Sequence, residues 1–72
     1  MQALRDVQIH GETIRLAQLL KLAGIVESGG ESKALLAESA VRVNGELEMR
    51  RGRQLRAGDV VEAVGESLRV TA

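Results

Sequence analysis

Leu16, Leu19, Leu20 and Ala23 recur at i, i+3, i+4 and i+7, the spacing of one apolar stripe on a helix of 3.6 residues per turn. The pattern predicts a helix that begins near 13–15 and stops at Gly24. Ahead of it, Val7 and Ile9 alternate with Asp6 and Gln8, a short strand over Leu4 to Ile9 that ends in a His10-Gly11 turn. Ile25 and Val26 carry apolar character into the connection. Ser28-Gly29-Gly30-Glu31 then has the spacing of a capping box. The Ser28 hydroxyl accepts from the amide of Glu31, and the Glu31 carboxylate reaches back to the amide of Ser28. A second helix follows over about 30–38, with Ser32, Leu35, Leu36 and Ser39 inward and Lys33 and Glu38 toward solvent.

The period then changes from helical to alternating. Val41-Arg42-Val43 reads as a strand, Asn44-Gly45 as a two-residue type I′ turn, and Glu46-Leu47-Glu48-Met49 resumes the alternation on the return strand. Leu55 and an Ala57-Gly58-Asp59 turn lead to a strand over Val60 to Val64. Gly65-Glu66 turns again into Ser67 to Val70. Two helices packed on a small, mostly antiparallel sheet make an α+β fold. No repeat, linker or low-complexity segment interrupts it, so residues 1–72 are expected to form a single domain.

Size and composition narrow the chemistry. A chain of 72 residues buries only ~60% of the surface its unfolded form exposes, which leaves a thin core and no room for an enclosed active site. Without cysteine there is neither a disulfide framework nor a thiolate metal site. No apolar run nears the ~18 residues of a membrane span, and no signal-peptide core opens the chain. A cytoplasmic protein is the expectation, with no cofactor and no metal. His10 has no second histidine, cysteine or serine-acid pair placed around it, so a turn residue is the better reading than a catalytic one. We expect no enzyme. The lack of Phe, Trp and Tyr also removes the stacking platforms on which single strands are usually held.

Charge is where the sequence becomes specific. From Arg42 to Arg56 there are five arginines (Arg42, Arg50, Arg51, Arg53 and Arg56) against Glu46 and Glu48, a surplus of 5 − 2 = +3 in a protein of net charge +0. Arginine offers a planar donor fork that matches phosphate, whereas solubility alone is served as well by lysine. We therefore weigh the cluster as a phosphate surface above a merely solvated loop. Lys21 and Arg42 join it more readily than Lys33, and Arg5, Arg15 and Arg69 read as ordinary surface charge. Asn44 suits the left-handed turn before any base contact, and Asp59 orders the turn opened by Gly58. Gly29-Gly30 at a helix start resembles an anion nest, but Glu31 already occupies that positive end.

Leu19-Leu20-Lys21-Leu22, Glu27-Ser28-Gly29, Lys33, Val41 to Gly45 and the arginine run stand in an order and spacing that resemble the RNA-binding domain named after small-subunit ribosomal protein S-four. They are most similar to its small stand-alone bacterial YbcJ-like branch. The resemblance runs from Ile14 to Ala63, about two thirds of the chain. It implies two helices against a hairpin, a surface shared by Lys21, Lys33, Arg42 and the arginine loop, and structured RNA, ribosomal or transfer, as partner. The chain departs from the family in two places: Ser28-Gly29 where Ser-Arg is usual, and Ser39 where a glycine is usual. If position 39 needs φ > 0, serine there carries a small local cost.

The expected function is a non-catalytic, monomeric module that binds structured RNA through Lys21, Lys33, Arg42, Asn44, Arg50, Arg51, Arg53 and Arg56, with no membrane and no small-molecule ligand. Two other classes remain open. A β-grasp-like carrier or interaction domain suits Arg56 to Val61, although the chain ends Val70-Thr71-Ala72 and not in the Gly-Gly of a sulfur carrier. A DNA-binding hairpin dimer of the antitoxin type also uses arginine-rich strands, but leaves the capped second helix without a role.

Overall fold

The computed structural model describes residues 4–72. In chain order the elements are β1 (Leu4–Gln8), β2 (Ile14–Arg15), α1 (Leu16–Leu22), α2 (Gly29–Ala37), β3 (Val41–Val43), β4 (Glu46–Leu47), β5 (Gln54–Leu55), β6 (Val60–Ala63) and β7 (Glu66–Thr71). Five strands form one sheet in the order β1-β7-β6-β3-β4, in which only β1 and β7 run parallel. The two-residue strands β2 and β5 pair separately, Ile14 opposite Leu55 and Arg15 opposite Gln54. The fold is α+β with two helices and a mostly antiparallel sheet, as the periodicity predicts.

One face of the sheet is apolar because inward positions alternate along its strands. Val41 and Val43, Val61 and Ala63, and Leu68 and Val70 all point to the buried side. Leu16, Leu19 and Leu20 of α1, Leu36 of α2, and Val26 and Leu55 cover them. Leu35 is only partly buried against this cluster, and Ser39 lies past the end of α2 and is exposed, so the inward face of that helix reduces to Ser32 and Leu36. Ser32 is accommodated because its hydroxyl donates to the carbonyl of Gly29 at 2.9 Å. Among the described residues, no helix is long and apolar enough to cross a membrane.

Local details hold in part. Ser28 is the N-cap of α2, its hydroxyl accepting from the Glu31 amide at 3.2 Å. The reciprocal half of the box is shifted by one residue: the Glu31 carboxylate accepts from the amide of Glu27 at 3.0 Å, not from that of Ser28. Ser39 does sit at φ 57°, the left-handed region that favours glycine. Asn44 and Gly45 have φ 52° and 84°, as a type I′ turn requires. The turn between β6 and β7 departs from expectation. Val64 and Gly65 form it, with φ 51° and 73°, so Val64 leaves the strand and stands exposed. A β-branched residue in this region is strained, and the pairing of Ala63 with Glu66 on either side of the turn imposes it.

Candidate nucleic-acid interface

The hairpin turn fixes more than the position of two strands. A two-residue loop at Asn44-Gly45 pairs Val43 with Glu46 and Arg42 with Leu47, and the Glu48 amide donates to the Val41 carbonyl at 3.0 Å. Glu48 therefore shares the face of Val41, which is inward. It is 6% exposed, while Leu47 and Met49 are 48% and 55% exposed. The return strand alternates, but with its carboxylate inside and its apolar residues out. Regular pairing ends at Leu47, short of the predicted Met49.

Around the buried Glu48 carboxylate the following loop is built. One oxygen, Oε2, accepts from the backbone amides of Met49 and Arg50 at 3.0 and 3.1 Å and from Arg50 Nε at 3.1 Å. The other accepts from Arg50 Nη2 at 3.0 Å and Arg53 Nη1 at 2.8 Å. These two arginines hold the Glu48 carboxyl well below its usual range, from 4.5 to about 2, against an opposing upward push from burial. Two of the three loop arginines are thus tied to an acid counted only as a charge to be subtracted. The alternation conceals this partnership; carrying the turn register through to Val41 and Glu48 reveals it.

The loop is also fastened to α1. The Arg53 carbonyl accepts from the Leu16 amide at 2.8 Å and the Arg51 carbonyl from the Ala17 amide at 3.0 Å, so the first free amides of the helix are capped by the arginine loop. Arg51 has no carboxylate partner among the described ion pairs. Together with Gly52 it lines an open cleft of about 470 Å³ whose other walls are Arg15, Ala17, Gln18, Gly29 and Ser32. Gln18 also lines the neighbouring hollow with His10, Thr13, Ile14, Lys21 and Leu22, so Lys21 and the cleft belong to one continuous surface. Lys33 is exposed one helical turn beyond Gly29, which lines the cleft.

Other predicted members lie elsewhere. Arg42 points to the opposite face of the sheet, since its neighbours Val41 and Val43 point inward. It stands opposite Glu62 in the register, donates to the Gly45 carbonyl at 3.2 Å and shares a shallow hollow with Glu62 and Glu66. Asn44 spends its side chain within the fold, donating to Asp59 Oδ1 at 3.1 Å and accepting from the Val60 amide at 2.9 Å. Asp59 in turn takes the backbone amide of Arg56 at 3.0 Å, which places Arg56 in the turn beside the hairpin tip. The reading of Arg5, Arg15 and Arg69 as ordinary surface charge holds for Arg69, whose pair with Asp6 is exposed, and falls short for Arg5 and Arg15. Arg5 donates to the Ala23 carbonyl at 2.6 Å, closing the C-terminal end of α1; Arg69 lies against Asp6 at 2.9 Å; Arg15 is in the cleft. The pairing of β2 with β5 puts Arg15 there, and two-residue strands far apart in sequence leave no periodic signal. Among the described residues, no group of three or more His, Asp or Glu is gathered to hold a metal ion.

Two helices, a five-stranded sheet and a separate two-stranded pair make up this fold, and comparison with known families places the chain. The model of the S4 domain matches residues 7–71, and the chain belongs to that family. Within it, the chain is 51% identical over 59 residues to the Bacillus subtilis (strain 168) protein named "Probable ribosome maturation protein RlbA", covering 82% of this chain and 83% of the relative. It is 41% identical over 59 residues to the Escherichia coli (strain K12) protein named "Putative RNA-binding protein YbcJ", covering 82% and 84%. The solution structure of YbcJ from E. coli, described as revealing an alfaL motif involved in RNA-binding, superposes with a TM-score of 0.66. That match is 36% identical and covers 100% of this chain and 90% of the other.

Proposed function

We propose that this protein is a non-catalytic, cytoplasmic RNA-binding module that recognises structured RNA by charge and shape. Its surface is the cleft between the arginine loop and the two helix starts, with Arg51 and Arg15 at the centre, Arg50, Lys21 and Lys33 around them, and Arg53 as an anchor of the loop. Arg42, Asn44 and Arg56 lie outside that centre. The observation that carries the reading is that Arg15 and Arg51, which have no carboxylate partner among the described ion pairs, line one concave cleft in a chain without aromatic side chains. Such a surface suits phosphates held in a folded backbone, and offers nothing on which to stack loose bases. The names of the Bacillus and Escherichia relatives support RNA as the ligand, and the former favours ribosomal over transfer RNA.

The test compares two double variants on a structured ribosomal RNA fragment. Arg15→Gln with Arg51→Gln should weaken binding at least tenfold, about 1.4 kcal/mol. Arg42→Gln with Arg69→Gln removes equal charge from the other face and should cost less than about threefold, roughly 0.6 kcal/mol. Equal losses would mean that only net charge matters. With ~3 to 5 phosphate contacts, log affinity should fall against log salt with a slope of roughly −2 to −4, and a flat response would remove phosphate binding as the mechanism.

A further inference from the structure

An acidic side chain at the base of an RNA-binding surface is an electrostatic liability, and Glu48 is nearly as buried as the apolar core. Its position has a geometric consequence. Arg50 is held side-on: Nε and Nη2, on one edge of the guanidinium, both donate to the carboxylate. Two of its five N–H donors are used; of the other three, one on Nη2 and one on Nη1 form the end-on fork and the last, on Nη1, points back along the side chain. The Glu48 side chain is 8% exposed and that of Arg50 73%, so the clamp is inside and the free edge faces solvent. An unrestrained surface arginine loses rotamer freedom when it closes on a phosphate. Arg50 is already ordered by two side-chain bonds and by its own backbone amide, which donates to the same carboxylate.

We propose that Glu48 is a positioning residue for RNA: it grips the inner edge of Arg50 and presents the outer edge as a preset fork for a phosphate. The proposal rests on the reading of this surface as an RNA interface. Arg53, 32% exposed at its side chain and bonded to the same carboxylate, closes the clamp from the far side of the loop and leaves the group around Glu48 with a net charge of +1, counting Arg50 and Arg53 against it. Arg51 has no carboxylate partner among the described ion pairs and lies outside the clamp.

The two roles open to Glu48 predict opposite signs. As a charge and nothing more, it repels RNA, and Glu48→Gln should tighten binding. As a clamp, it helps, and Glu48→Gln should weaken binding about fivefold although the protein becomes more positive by one unit; coupling of this size is usual between side chains in one hydrogen-bonded network. The measurement is affinity for a structured ribosomal RNA fragment at fixed salt, far below the melting transition, for Glu48→Gln, Arg50→Lys, Arg51→Lys and the two combinations with Glu48→Gln. Arg50→Lys should cost about fivefold in the wild-type background and less than about twofold beside Glu48→Gln, since the fork is then already lost. Arg51→Lys should cost the same in both. Tighter or unchanged binding by Glu48→Gln overturns the clamp, as does an Arg50→Lys penalty that persists in full beside it. Should Glu48→Gln not fold, Glu48→Asp, which keeps the charge but withdraws the carboxylate, should show the same loss, and wild-type affinity there overturns the proposal. A wild-type protein that does not bind RNA sinks both readings; normal wild-type binding with an indifferent Glu48→Gln sinks only this one.

Discussion

On the outer face of the sheet, Arg69 pairs with the exposed Asp6, and Arg42, bonded to the Gly45 carbonyl, stands in the register opposite the exposed Glu62. On the helix side, Arg50 and Arg53 share one buried carboxylate while Arg51 and Arg15 have none among the described ion pairs. Both faces carry arginine, but among the described residues the hollow at Arg42 is also lined by Glu62 and Glu66, whereas the cleft at Arg15 and Arg51 is lined by no acid. The difference teaches that a chain of zero net charge makes a basic surface by sorting its acids, and that one acid placed beneath the surface orders the arginines above it. Exposed pairs of the first kind contribute ~0 to 1 kcal/mol, screened by water and salt. A carboxylate removed from water depends on its partners far more strongly.

That contrast is open to direct test. Arg50→Gln with Arg53→Gln strips the buried Glu48 of both side-chain partners and should cost roughly 2 to 3 kcal/mol of stability in denaturant unfolding, so removing the loop arginines together is not the innocuous surface change their exposure suggests. Arg42→Gln with Arg69→Gln should cost less than ~1 kcal/mol, and parity between the two pairs would erase the distinction. Acid offers a second probe. The Glu48 carboxyl is depressed in the fold, so its contribution is complete above its unfolded value near 4.5 and fades as pH falls toward about 2. Allowing for the exposure of Arg50, about 1 to 2 kcal/mol should be lost over that window. Thermal midpoints recorded against pH should show this limb in the wild type and a flatter one in Glu48→Gln. The smallest effect concerns turns. Val64→Asn should relieve a strained φ and gain about 0.5 to 1 kcal/mol in thermal unfolding, giving the second hairpin the chemistry of the first. Because Val64 sits with Arg42 and Glu62 on the outer face, RNA affinity should not move.

What the sequence made legible was whatever a local rule governs. The apolar stripe of α1, the Ser28 cap and the Asn44-Gly45 turn follow from neighbours within four residues and stand in the fold, whereas the left-handed Ser39 was flagged by the family resemblance and not by its neighbours. The parallel pairing of β1 with β7 and the small β2-β5 pair join residues tens of positions apart, where no periodicity points from one to the other. Arg15 was lost to the site for that reason. Glu48 was lost for another: polarity was followed along the return strand, while the turn, a stronger constraint, had already set the opposite face. The spacing Glu48, Arg50, Arg53 was visible throughout.

The docking of the arginine loop on α1 also has a kinetic side. Leu16 and Ala17 donate their amides to carbonyls at Arg53 and Arg51, so the start of the first helix is completed by chain synthesised more than thirty residues later. A seven-residue helix is too short to persist alone. Its first turn and the arginine loop should therefore open and close together, and the exchange of those two amides with deuterium will time the motion of the loop in the free protein, a clock read at Leu16 and Ala17 for events at Arg51.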